Sequence, residues 1–392
     1  MQASQCLAPS GGAETSPLGW HRAIRVLFFV LGMAMGVWGA QLPAVKVHYG
    51  LDEQSLSLAL LAAAAGAVLC LLTAGALVAR FGARRCVRAA GLLMCAALGA
   101  ALQTQQLGVL FALMLLLGAG SALFDVAINA EGNALEMRSP RKVMSGLHAM
   151  FSLGGMAGAL LCAGLHRAGV APMLQLAGSA LGLAATLWFA AGWLSSHRSD
   201  SDETPAPIAW PRGILLWMGV LTALCMVAEG SMYDWSALFV HQELQTDAAT
   251  GALGFAAFSA AMAAGRLFGD RVRERLSPVA LMRASGVLAT AGMALALTAG
   301  APWAALLGFM LVGLGLANVV PVMFAAAAQV PGVAPAHGVA AVSSVGYLGF
   351  MVGPPLIGAL ARWSSLTAAL WAVALFAVLM GAAARAVLAR TR

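Results

Sequence analysis

The chain has 392 residues, of which 61% are hydrophobic and 9% charged, with a formal net charge of +7. Soluble domains carry about 25% charged residues, so a water-soluble fold is excluded. The basic residues are interleaved between apolar runs instead of gathered on one domain, which points to lipid headgroups and membrane topology and away from nucleic acid.

Apolar runs such as Ala23 to Leu42 and Val109 to Ala130 have the roughly 20 residues a helix needs to cross a bilayer. A transmembrane barrel would show short alternating segments instead, and helices are the remaining way to satisfy the backbone in lipid. The expected fold class is therefore an all-α membrane protein of twelve transmembrane helices.

In chain order, residues 1–22 read as an N-terminal cytoplasmic tail without the basic start, apolar core and cleavage site of a removable leader. Spans are expected near 23–42, 55–78, 87–102, 109–130, 143–165 and 172–194, an N-terminal six-helix bundle over 23–194. A polar, proline-bearing linker over 195–213 follows. Spans near 214–239, 250–268, 280–299, 303–328, 337–361 and 366–387 make the C-terminal bundle and short tail, 214–392. Cys70, Cys86, Cys95, Cys162 and Cys225 read as small apolar side chains, not a disulfide framework.

Cytoplasmic loops retain Lys and Arg. Placing the N-terminus inside puts Arg22, Arg25, Arg80, Arg84, Arg85, Arg88, Arg138, Arg141, Lys142, Arg198, Arg212, Arg266, Arg271, Arg273, Arg275, Arg283, Arg385, Arg390 and Arg392 on the cytoplasmic side. Only Lys46, Arg167 and Arg362 fall outside. Both termini are therefore expected to be cytoplasmic, in a bacterial inner membrane.

The halves repeat each other. Adding 195 carries Arg88 to Arg283, Gly91 to Gly286, Gly118 to Gly313, Gly120 to Gly315, Gly154 to Gly349 and Gly158 to Gly353, so three successive spans share one register. Repeated halves are how many transporters frame a central site that opens alternately to each side.

The segment Gly75-Ala-Leu-Val-Ala-Arg80-Phe-Gly82-Ala-Arg84-Arg85 and its counterpart Gly265-Arg-Leu-Phe-Gly-Asp270-Arg271 are similar to the loop signature of the major facilitator superfamily. The phrases Phe124-Asp-Val-Ala-Ile-Asn129-Ala, Gly146-Leu-His148-Ala-Met-Phe-Ser152-Leu-Gly-Gly155 and Gly346-Tyr-Leu-Gly-Phe-Met-Val-Gly-Pro354-Pro355 resemble its bacterial MosC/YbjJ-like branch. The resemblance implies two pseudo-symmetric six-helix bundles, alternating access and a monomer. It also implies gate loops built on Gly75, Arg80, Gly82, Arg84, Arg85, Gly265, Asp270 and Arg271. Ala79 stands where the family has an acid, so the loop latch is expected to work only in the second half, through Asp270.

Ionisable side chains facing lipid cost about 2.5–3.5 kcal/mol on insertion scales, so embedded ones line an interior or a cavity. Asp125 and Asn129, four apart, share a helix face. Asp125 and His148 fall at similar depth, roughly 8–9 Å toward the cytoplasm at the helical rise, so a contact between them is open. Glu229 has no basic residue in its own span, and an unpaired buried acid exchanges protons readily. Tyr233 follows one turn on, with Asp234 beside it. By the family resemblance, Trp38, Gln41 and Asn318 complete a polar cavity with these residues. Each also has a structural reading: Asp125 and His148 as interhelical glue, Glu229 as a buried structural carboxyl, Trp38 and Tyr233 as interfacial anchors, and Asn318 with Pro321 as a kink.

Gly154, Gly158, Gly349 and Gly353 have the small-xxx-small spacing of close helix packing. They are expected to let spans five and eleven slide on the opposite bundle, and Pro354 with Pro355 to bend span eleven. Nothing calls for a metal or cofactor. Gly118-Ala-Gly120 lies within a span and not after a strand, and His148 with Ser152 is the one nucleophile-like pair, so no enzyme is expected. These features predict a secondary transporter of a small polar organic solute, sugar- or cyclitol-like and coupled to protons. Efflux of amphipathic compounds and a non-transporting sensor are the alternatives.

Overall fold

The computed structural model describes residues 17–139, 143–194 and 212–389. The described residues form thirteen α-helices and a π-helical turn, joined by short connections. The first half holds α1 (Pro17–Tyr49), α2 (Glu53–Phe81), α3 (Ala83–Ala100), α4 (Leu107–Met137), α5 (Met144–Arg167) and α6 (Pro172–Ala191). The second holds α7 (Ile214–Leu238), which runs into the π turn Phe239–Glu243, then α8 (Ala248–Arg275), α9 (Pro278–Thr298), α10 (Pro302–Leu316), α11 (Val319–Ala327), α12 (Pro335–Trp363) and α13 (Leu366–Leu388).

Local chemistry sets the helix ends. Pro172, Pro278, Pro302 and Pro335 open α6, α9, α10 and α12, at a position where a missing N–H costs nothing. The side chains of Asp52, Asp247, Ser277 and Ser365 cap α2, α8, α9 and α13. Gly82, at φ +81°, ends α2 and starts α3, a conformation that side chains rarely adopt. Glu136 accepts from the backbone N–H groups of Val143 and Met144 and so closes the start of α5.

Helices α10 and α11 are one interrupted segment, where a single span over 303–328 was expected. Pro321, in the first turn of α11, has no N–H to offer the carbonyl of Ala317, and the helix breaks at Ala317 and Asn318. Counted this way there are twelve helical segments, and eleven of them are long and apolar enough to cross a membrane. The twelfth, α3, carries Arg84, Arg85 and Arg88 near its start. Other boundaries also differ from expectation. Residues 17–22, placed in a tail, already belong to α1; span three begins at Ala83; and α8 runs on to Arg275, so Asp270 and Arg271 are helical. Residues 1–16 of the expected tail, 195–211 of the expected linker, and Arg141, Lys142, Arg198, Arg390 and Arg392 lie outside the described residues.

Both halves use one packing scheme. In the first, α1 packs on α5 and α6, α2 and α3 on α4, and α3 on α6. In the second, α7 packs on α12 and α13, α8 and α9 on α10, and α9 on α13. The halves meet along α5 with α8 and α2 with α12. The end where α1 begins and α13 finishes is called the terminal end below. Large apolar side chains such as Leu72, Leu181, Phe189 and Val287 point outward, a surface that lipid and not water would cover. Trp193 and Trp217 are exposed at the terminal end, Trp303 and Trp363 at the opposite end, as in the aromatic belts of membrane proteins.

Candidate functional site

The seam between α5 and α8 holds a charged cluster. Arg266 of α8 donates through Nη2 to Glu229 Oε1 of α7 at 2.9 Å, and through Nη1 to Ser152 Oγ of α5 at 2.8 Å. Tyr233, one turn beyond Glu229, donates its hydroxyl to the same Oε1 at 2.8 Å. The Ser145 hydroxyl of α5 donates to the carbonyl of Arg266 at 3.1 Å. Phe255 and Phe258 of α8 pack on the Tyr233 ring with centroids 5.3 and 5.4 Å away. One guanidinium thus joins an acid of its own half to a hydroxyl of the other, with both ionic side chains largely buried (16% and 8% exposed).

Sequence reasoning counted Arg266 among cytoplasmic loop residues, and the structure corrects this. It lies nine residues before the end of α8 at Arg275, roughly 14 Å inside at the helical rise. The signal was present, since position 266 falls within the expected span 250–268. Glu229 is accordingly not an isolated acid; its partner comes from the next helix.

The Asp125 carboxylate accepts from Asn129 Nδ2 at 2.9 Å, and the same amide reaches the backbone carbonyl of Asp125. Asp125 has Tyr347 of α12 within electrostatic range. The His148 ring packs edge-on against Phe28 of α1, centroids 5.4 Å apart, within electrostatic range of Arg266. No hydrogen bond joins Asp125 to His148 among the described residues. Asp234 is half-buried and has no hydrogen-bond partner among them.

Three further residues expected to line a cavity have packing partners in the structure. Gln41 is fully buried and donates to Gln175 of α6 at 2.6 Å, inside the first half. Trp38 belongs to the apolar core. Asn318 fills the α10/α11 break and donates to the carbonyl of Gly265 at 3.1 Å. The two amides each donate to a neighbouring helix, and Gln41 Oε1 is buried without a partner among the described residues.

The sequence profile of the Major Facilitator Superfamily matches residues 26–333 and 219–392. The chain belongs to the major facilitator superfamily. It is 34% identical over 364 residues to an uncharacterised MFS-type transporter of Yersinia pestis, covering 93% of this chain and 94% of that one. It is 35% identical over 361 residues to the membrane protein MosC of Rhizobium meliloti, covering 90% and 87%. In fold it is similar to the nucleoside transporter NupG, at TM-score 0.72 and 16% identity over 94% of this chain and 98% of that one. It is also similar to a variant of the E. coli fucose:proton symporter FucP, at TM-score 0.62 and 14% identity over 93% and 98%. It is thus a multi-pass membrane transporter and not an enzyme, with a small molecule as substrate.

Within this major facilitator the loop signature residues lie at the terminal end. Arg80 stacks on Phe81, and Arg84 donates to the carbonyl of Leu194 at the end of α6. Gly75 has open space where a side chain would go, whereas a Cβ on Gly265 would press on Ala317. Arg85 is exposed, and Arg271 packs on Phe268. Asp270 pairs with Arg273 one turn along its own helix, so the expected latch between helices is not formed in this structure.

The glycine reading needs a similar correction. A Cβ on Gly154 or Gly158 would run into the backbone of α1 at Phe29 or Met33, and one on Gly349 into Ala223 of α7; Gly353 has room. These positions tighten each half internally and do not face the other. Glycines at the seams include Gly39, against Phe255 of α8 and Tyr233 of α7, Gly155, against Phe255 and Ser259 of α8, and Gly358, against Ser57 of α2. Helix α12 continues through Pro354 and Pro355.

Proposed function

We propose that this chain is a proton-linked secondary transporter of a bacterial inner membrane, with both termini cytoplasmic. Its two six-helix bundles alternate access to a small polar organic solute, sugar- or cyclitol-like. The observation that carries this reading is the Arg266 bridge. A buried ion pair that also reaches across the seam is stable only while its acid is charged. A proton on Glu229 removes the counter-charge and frees Arg266, so proton binding is tied to the contact between halves. Asp125 with Asn129, His148 and Asp234 supply further hydrogen-bonding groups for a hydroxyl-rich solute. Two fold relatives are a nucleoside transporter and a fucose:proton symporter, which accords with such a substrate class.

The test is flux into proteoliposomes under an imposed pH gradient, with a panel of labelled sugars, cyclitols, nucleosides and lipophilic cations. A polyol should accumulate in the wild type, and Glu229→Gln should abolish the dependence on the gradient. Unchanged coupling in that variant removes Glu229 from the mechanism. Broad competition among unrelated apolar cations, without polyol uptake, replaces the reading with efflux.

A further inference from the structure

A second polar site lies away from the seam, at the terminal end of the second half. The turn between α8 and α9, the end of α11 and the end of α13 border an open-sided pocket of about 590 Å³, within the roughly 300–1,000 Å³ range of ligand sites. Arg273, Arg283, Arg385 and Gln329 line it, with no carboxylate among the lining residues. Arg273 is engaged with Asp270. Arg283 and Arg385 have no hydrogen bond or ion pair among the described residues. Helix α9 also starts at this wall, its cap Ser277 among the lining residues, and adds the positive end of its dipole.

The internal repeat shows what these arginines lack. Arg88, the first-half counterpart of Arg283, lies over the Trp188 ring at 4.5 Å and donates to the Trp188 carbonyl. Its neighbour Arg84 is engaged by the carbonyl of Leu194. Adding 195 to Trp188 and Leu194 gives Ala383 and Ala389. The second half therefore has no ring for Arg283 to stack on, and Ala389 lines open space. Arg84 and Arg88 thus have partners within their half, whereas Arg283 and Arg385 line a cavity.

We infer that this cavity binds a phosphate group, carried either by a lipid headgroup or by a soluble phosphate ester. Planar guanidinium groups present paired donors that match phosphate oxygens, and a bound anion supplies Arg283 and Arg385 with the counter-charge that Asp270 already gives Arg273. The apolar part of the wall, including Leu276, Val279 and Leu388, accepts a glycerol or acyl body beside the phosphate.

The test uses the purified full-length chain after delipidation. Native mass spectrometry compares phosphatidylglycerol with phosphatidylcholine, and thermal shift reads glycerol 3-phosphate. In the wild type we expect one anionic probe to be held. The double variant Arg283→Gln with Arg385→Gln should lose about tenfold in apparent affinity, the size of one charge-assisted contact or slightly more. Ala325→Trp, which fills the cavity and leaves its charge intact, should lose binding likewise, whereas Arg167→Gln at the opposite end should not. Retention of phosphatidylglycerol without a response to glycerol 3-phosphate assigns a lipid headgroup; the converse assigns a soluble ester. Equal binding by wild type and Ala325→Trp, or no preference for either anionic probe, overturns the inference. Because Ala325→Trp keeps every arginine, the result stands even if the double variant does not fold.

Discussion

Arg266 and Glu229 meet at 2.9 Å although they belong to different helices, and the arginine's second terminal nitrogen reaches Ser152 in the other half. Removing one member of a buried ion pair leaves the other charge without compensation, typically at about 3–5 kcal/mol. Arg266→Ala should therefore lower the thermal stability of the detergent-solubilised protein strongly. The double variant Glu229→Gln with Arg266→Gln, which leaves no net charge, should recover much of the loss. Equal destabilisation by single and double variants would show that the pair is not coupled.

Gly154 and Gly164 lie on the same helix, α5, but a Cβ on Gly154 would come within 2.1 Å of the Phe29 carbonyl oxygen, and one on Gly164 meets nothing within 4 Å. Gly154→Ala should cost about 1–3 kcal/mol through overpacking. Gly164→Ala should gain up to about 1 kcal/mol from helix propensity. Unfolding of the two variants in matched detergent reads the contrast, and equal effects would contradict the close approach of α1 to α5.

Asp247 caps α8 in a loop outside the membrane. The backbone N–H of Thr250 donates to its carboxylate and, with the Thr250 hydroxyl, holds the acid below the usual carboxylate range. A depressed folded-state value means that the stabilisation is present above the unfolded value, near 4, and is lost as pH falls through the folded one. Asp247→Ala should thus cost about 0.5–2 kcal/mol at pH 7, the usual worth of such a cap. The difference from wild type should shrink as the pH is lowered below about 4. A pH-independent difference would mean that the charge plays no part.

Orientation can be read with single cysteines in a background where the native six are replaced. Arg275 at the terminal end and Ser364 at the opposite end are both exposed. With cytoplasmic termini, an impermeant maleimide added to intact cells should label Ser364→Cys and spare Arg275→Cys until the membrane is opened. The reverse pattern would invert the topology.

The helical segments and the repeat were legible in the sequence because lipid imposes a long apolar run on each crossing and a register survives in Gly91/Gly286 and Gly154/Gly349. The pairing of side chains was not. Glu229 looked unpaired because a search along its own span cannot see a neighbour that arrives from α8. Gln41 was placed in the cavity by the family resemblance, which assigns span one to the central path but not the helix its amide meets, and Gln175 lies 134 residues away. The glycines were found but aimed at the wrong neighbour, since spacing shows that something comes close and not what. The break at Asn318 was legible, because Pro321 reads there as a kink and the structure interrupts the helix at Ala317 and Asn318.

Gly155 and Gly358 sit at the contacts between the halves, whereas Gly154 and Gly349 sit within them. The two groups should therefore respond to enlargement in different currencies. Under the proposed alternating access, a methyl group added inside a half strains a contact kept in every conformation. A methyl group added at the seam strains only those conformations in which α5 meets α8, or α2 meets α12, this closely. Under the same proposal, substitution there should shift the dwell time on each side of the membrane while leaving each bundle intact, so transport rate at Gly155 and Gly358 should vary independently of folding.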